Sequence, residues 1–167
     1  MERLWKNFLY GGLFFILILT NFSFEVLAKE TLLNNKELEQ IGFVGYEKVN
    51  PNQLTFPFKQ ITEEFISYLK TNEHDKQEYQ YDLLDNRFRE LVYIINFQKT
   101  SFLPEVVARY NEQVGVIKSS YISDEKDTKD NLKKYFEILG FLRDRYPANS
   151  TYWMNIQQAV DTTESLY

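Results

Sequence analysis

The chain has 167 residues, no cysteine, one histidine and a formal net charge of −5, with 24 acidic residues against 19 basic ones. The missing cysteines exclude a disulfide framework and a lipidated-cysteine anchor, so the fold must be held by its core or by a metal. No basic run stands unopposed by acids, which argues against nucleic acid as a partner, and the length suits one domain with a genuine core.

Residues 1–28 concern the address of the protein. Arg3 and Lys6 precede an apolar run from Phe8 to Leu19, and Val26, Leu27 and Ala28 lead into Lys29 and Glu30. A basic start, an apolar core of roughly a dozen residues and small residues before a polar junction read as a secretory signal, cleaved between Ala28 and Lys29. A retained membrane anchor competes with this. A span needs roughly 20 apolar residues, a length reached here only by including Asn21 and Glu25. Arg3 and Lys6 keep the N-terminus in the cytoplasm in both cases, so the body of the chain is expected outside it. It is then either anchored in the cell membrane or, after cleavage, secreted or held in the cell wall. The membrane is a partner only if the segment is retained.

Residues 29–56 read as an irregular N-terminal segment. Residues 31–40 could form a short helix, and Gly42, Gly45, Pro51 and Asn52 then break the chain. Residues 41–55 are expected as loop or as one short strand through Ile41, Phe43 and Val44.

Residues 57–167 read as a helical domain. A first helix begins at residues 55–57, with Thr55 as cap and Pro57 in the first turn, and Phe58, Ile61, Phe65 and Tyr68 or Leu69 form its expected core stripe. The polar residues 71–80 should end it. A second helix is expected over 82–98 on Leu84, Phe88, Leu91, Val92 and Ile95. The third opens at residues 101–105 and presents Val106 or Val107, Tyr110, Val114, Ile117 and Tyr121; Gly115 inside it suggests a close neighbour. Residues 123–130 should turn the chain. A fourth helix carries Leu132, Tyr135 or Phe136, Leu139, Leu142 and Tyr146, stopped by Pro147. The fifth, capped by Asn149 or Ser150, presents Trp153, Ile156, Val160 and Thr163. Short polar connections make the expected fold all-α, an antiparallel bundle of four to five helices behind the signal or anchor segment.

Three stretches in order resemble the LemA family of membrane-anchored helical envelope proteins. Ser101-Phe102-Leu103-Pro104-Glu105-Val106-Val107 is similar to that family's Asp-Leu-Ile-Pro-Asn-Leu-Val helix start. Residues 139–147, ending Arg145-Tyr146-Pro147, are similar to its leucine-rich helix ending Glu-x-Tyr-Pro. Trp153, Ile156, Gln157, Val160, Thr163 and Glu164 follow the spacing of its Phe-x-x-Leu-Gln-x-x-Leu-x-x-Thr-Glu helix. The likeness covers roughly residues 82–166. It departs from the pattern at Lys99, Thr100 and Ser101, where the family has paired arginines and an aspartate, and at Glu105, where it has asparagine. The resemblance implies an envelope protein with an N-terminal membrane segment and an elongated helical bundle, and it brings no catalytic residues.

Motifs for catalysis are sparse. His74, between Glu73 and Asp75, has no second histidine at ligand spacing and reads as a solvated loop residue. Asp124, Glu125, Asp127 and Asp130 lack the glycine and terminal glutamate of an EF-hand loop and read as a solvated turn. Gly42-Phe43-Val44-Gly45 has no phosphate-loop lysine after it, and no serine sits in a nucleophile elbow. Glu63-Glu64 and the pair Asp82/Asp85 read as solvated helix-surface carboxylates. No cofactor, metal or catalytic residue is expected, and an enzyme is not. Among 12 tyrosines, Tyr79, Tyr81, Tyr93, Tyr152 and Tyr167 fall off the stripes. Tyr79, Tyr81, Tyr93 and Tyr152 make a candidate binding surface, because tyrosine joins large contact area to a polar tip. The expected function is contact with a protein partner, as a structural or interaction module of the envelope. The alternative is a small immunity or exclusion factor binding a toxin, phage or conjugation component at the cell surface.

Overall fold

A computed structural model describes residues 35–120 and 126–166, and among these the secondary structure is all helical. The expected signal segment with its Ala28–Lys29 junction, the calcium-like residues Asp124 and Glu125, and Tyr121 and Tyr167 lie outside the described residues. Among the described residues no helix is long and apolar enough to cross a membrane.

Helix α1, Asn35–Gln40, is short and closed by its last turn. Gly42 takes φ +88°, its N–H donates to the Glu39 carbonyl at 3.0 Å, and the Phe43 N–H donates to Leu38 O at 2.9 Å. This is a Schellman closure: a residue without Cβ enters the left-handed region, and apolar residues on both sides of the turn are buried, here Leu38 and Phe43. Residues 41–55 form no strand, which corrects that branch of the expectation. They run as turns around two glycines of positive φ, Gly42 and Gly45, while Leu38 and Phe43 join the main core.

Helix α2 spans Phe56–Leu69, with Pro57 in its first turn, although Thr55 makes no side-chain cap. Helix α3, Glu73–Asn96, starts nine residues before the expected Asp82. The Asn72 side chain accepts from the His74 N–H at 3.0 Å, and Glu73 and Asp75 favour the positive end of the helix. His74 is therefore an exposed residue of a helical first turn and not of a loop. A second Schellman closure ends α3: Gln98 at φ +54° donates to Ile95 O at 3.2 Å, and Lys99 to Ile94 O at 3.0 Å. A 3-10 turn at Thr100–Phe102 leads into α4, Leu103–Ser120. Pro104 sits at its start, where no N–H partner is needed. Helix α5, Lys126–Arg143, begins within the stretch expected to turn. Helix α6, Thr151–Glu164, is capped by the Ser150 hydroxyl, which accepts from Trp153 N–H at 3.2 Å.

The core is built by α3, α4, α5 and α6. Helix α3 packs most extensively on α4, α5 on α6, and α4 on α6. Leu84, Phe88, Leu91, Val92, Val106, Val107, Tyr110, Val114, Ile117, Leu139, Leu142, Ile156 and Val160 are buried, as their periodicity predicts. Inside it the Thr163 hydroxyl donates to Ala159 O at 2.7 Å, which leaves the Tyr110 hydroxyl, 2.6 Å away, as the donor to Thr163. Gly115 is exposed, and a Cβ there would meet nothing within 4 Å; the expected close neighbour is absent.

Candidate functional site

Helix α2 reverses the expected orientation. Phe58, Phe65 and Tyr68 are 71 %, 61 % and 83 % exposed, and Ile61, Leu69 and the preceding Leu54 are exposed with them. The stripe expected to face the core points to solvent. The reason lies on the opposite side of the helix.

Leu83, Arg87, Glu90 and Ile94 recur at three- and four-residue spacing along α3, a line that is apolar at its ends and charged at its centre. Glu90 is 0 % exposed. An isolated carboxylate at such a depth is strongly penalised, so it persists only with paired charges. Lys59 Nζ of α2 donates to Glu90 Oε1 at 2.7 Å, and Arg87 Nη1 donates to the same oxygen at 3.0 Å. Arg109 Nη2 of α4 stands 3.2 Å from Oε2, close enough for an ion pair but without hydrogen-bond alignment. Lys59 also reaches Glu47 at 3.2 Å and Glu63 at 3.7 Å, and Arg87 pairs with Glu63. Three cations thus balance three carboxylates, and the Arg109 guanidinium lies 4.4 Å from the Phe56 ring centroid. Burial pulls Arg87 down, but its bond to Glu63 and the charge of Glu90 outweigh this and hold it above the ordinary arginine value. For Arg109, burial wins over the attraction of Glu90, with Arg87 repelling it, and its value falls below the ordinary one.

Hydrogen bonds extend this junction. The Tyr79 hydroxyl donates to Glu63 O at 3.0 Å, Gln80 Nε2 to Ser67 Oγ at 3.3 Å, and Gln113 Nε2 to Gln80 Oε1 at 2.8 Å. Phe56 is the only apolar residue of α2 that is buried. Helix α2 is therefore held by charge and hydrogen bonds, which turns its apolar face outward. A cleft of about 460 Å³ opens between α2, α3 and α4, with Gln60, Glu64, Ser67, Gln80 and Glu112 in its walls.

A second cleft, of about 340 Å³, lies between α3 and α5 and is lined in part by Tyr81, Asp82, Asp85, Phe88 and Tyr135. The Tyr135 hydroxyl donates to Asp85 Oδ1 at 2.7 Å, its ring stacks on Phe88 with centroids 4.0 Å apart, and Arg89 pairs with Asp85 at 2.6 Å. Burial first, then the neighbouring Asp85, pushes the Tyr135 hydroxyl far above the ordinary tyrosine value. Burial, with Glu78 and Asp85 as like charges, raises Asp82.

The four candidate tyrosines engage different neighbours. Tyr79 joins the α2 junction, with Lys70 5.9 Å over its ring. Tyr81 lines the second cleft. Tyr93 packs with Tyr46 and Phe97, at centroid distances of 5.7 and 4.7 Å, and Tyr152 meets the Tyr146 ring at 5.7 Å. Of the carboxylates expected on the surface, Glu64 and Asp82 are exposed, Asp85 is half-buried and Glu63 is buried. Among the described residues no group of three or more histidines, aspartates and glutamates is placed to hold a metal. Sequence reasoning missed Lys59, Arg87, Glu90 and Arg109. The available signal was the charged line on α3 in register with apolar residues at both ends.

Comparison of the chain with family models, curated proteins and solved structures gives no match.

Proposed function

We propose that this chain is an exported, envelope-associated helical protein that acts by contact with a protein partner, not by catalysis. In this reading the helices form an antiparallel bundle behind an N-terminal signal or anchor segment. One observation carries it: α2 presents Phe58, Ile61, Phe65, Tyr68 and Leu69 to solvent while its polar side is tied to the domain. Contiguous apolar patches of more than a few hundred Å² mark interaction sites on soluble proteins. The basic-then-apolar N-terminus and the resemblance of residues 82–166 to the LemA family support the envelope address. The test is a photoreactive residue at position 65 of the full chain, expressed in its own host. The expected result is a cross-linked adduct in the membrane or cell-wall fraction, absent when the probe replaces the exposed Gln158. A chain confined to the cytoplasm, or no adduct at position 65, refutes the proposal.

The second reading, an immunity or exclusion factor, draws on the cleft that brings Tyr81 and Tyr135 together with Asp82, Asp85, Arg89 and Lys134. It requires Asp82→Lys to abolish protection of the host while the adduct at position 65 persists.

A further inference from the structure

We propose that the partner of the outward face of α2 is a second copy of this chain, packed α2 against α2 across a two-fold axis. This rests on the reading of that face as an interaction surface and names its occupant.

Three observations point to a second copy. The first is spacing. Phe58, Ile61, Phe65 and Tyr68 follow one another at three, four and three residues, the repeat of a coiled-coil seam. That order reads the same in both directions and is centred on residue 63. A two-fold antiparallel mate therefore brings Phe58 opposite the mate's Tyr68, and Ile61 opposite its Phe65. An isologous contact needs such self-complementarity, because the same patch must serve as both surfaces.

The second observation is area. Leu54, Phe58, Ile61, Phe65, Tyr68 and Leu69 are each more than half exposed. At about 150–250 Å² for a whole aromatic side chain, together they leave on the order of 800 Å² uncovered, which is close to the share each partner contributes to a standard stable interface.

The third is charge. A helix lying on an anionic membrane carries lysine and arginine beside its apolar face. Here Lys59 is held by Glu90 and Glu47, Lys70 sits over Tyr79, and the exposed charge flanking the stripe is Glu64. Lys59 and Lys70 are thus engaged elsewhere, and the uncharged seam suits a surface that meets its own kind through apolar contact.

The absence of native cysteine makes the test direct. Full-length chain carrying Phe65→Cys is expressed in its host and treated in intact cells with a short bis-maleimide, with Gln158→Cys as control. In parallel, the rate of labelling by a water-soluble maleimide is measured. Self-pairing predicts a dimer of twice the chain mass for Phe65→Cys alone, and slow labelling at position 65. Adding Ile61→Lys should reduce the dimer to the control level while the far-UV circular dichroism spectrum stays that of the folded chain, since Ile61 takes no part in the core. A protected Cys at position 65 with no dimer, or with adducts of another mass, overturns self-pairing but leaves the interaction surface standing. Vesicle binding by the purified chain that Ile61→Lys abolishes, with no dimer, would assign the face to lipid and overturn self-pairing as well. Rapid labelling at position 65 would overturn both the self-pairing and the reading of the face as a contact surface.

Discussion

Removing the charge of Glu90 should be among the most damaging conservative changes in this protein. Glu90 is fully buried and faces Lys59, Arg87 and Arg109 at 2.7, 3.0 and 3.2 Å. At an effective dielectric constant of about 20, each of these pairs attracts by about 5–6 kcal/mol. Desolvation of the carboxylate and repulsion among the cations offset most of that gain. What remains visible on mutation is the cost of leaving buried cations without their counter-charge, about 3–5 kcal/mol. Glu90→Gln keeps the shape and one acceptor oxygen, so it isolates the charge. Urea unfolding followed by far-UV circular dichroism should show that loss in the midpoint at nearly unchanged slope. Amide exchange should accelerate most in α2, whose attachment depends on the cluster. Adding Lys59→Met removes one unpaired cation, so the double variant should be less damaged than the two single losses together. A loss below about 1 kcal/mol for Glu90→Gln would mean that the cluster is solvated, and it would refute the account of why α2 is inverted.

Alkaline pH should weaken the fold. Tyr46, Tyr79 and Tyr135 are all held above the ordinary tyrosine value, in each case by burial first. They bind their protons more tightly folded than unfolded, so their contribution is complete below pH about 10 and is lost as pH rises further. The urea midpoint should fall across that window, and Tyr135→Phe should flatten the slope. Asp82 is also raised, so it favours the folded state only in acid and opposes it once ionised. Asp82→Asn should raise the melting temperature slightly at pH 7 and give no gain at about pH 3. Gln98 holds a left-handed conformation at φ +54° without being glycine. Gln98→Gly should stabilise the protein by about 0.5–1 kcal/mol in the same urea assay, relief of the strain outweighing the added chain entropy; destabilisation would show that the side chain matters more than the backbone.

How much of this was legible in the sequence depended on whether a helix met its own core. In the later helices the apolar period identified the inward face, and Leu91, Val114, Leu139 and Ile156 lie where it put them. For α2 the same period marked an apolar stripe correctly and misjudged what it faces, because periodicity is identical whether the neighbour belongs to the same chain or to another. The first turns of α3 were missed for a related reason. Residues 73–80 meet α2 through Tyr79 and Gln80 hydrogen bonds, so they carry no hydrophobic repeat to recognise. Glu63 looked solvated because only the fold brings Arg87 to it across 24 residues of sequence. The two clefts were illegible altogether, as each gathers residues from distant helices.

The polar attachment of α2 gives it a thermodynamic character unlike that of the core. Unfolding of α3 to α6 exposes apolar surface and so carries a large heat-capacity increase and a steep response to denaturant. Detachment of α2 exposes Phe56 as the helix's one buried apolar residue and hydrates the Lys59, Glu63, Arg87 and Glu90 charges. Its heat capacity change should be smaller than that of the core, and the helix should separate while the core is still intact. Charge hydration also becomes less favourable on heating, so warming penalises release of the helix and cooling favours it. The α2 junction should therefore loosen first in the cold, at temperatures where the apolar core still holds.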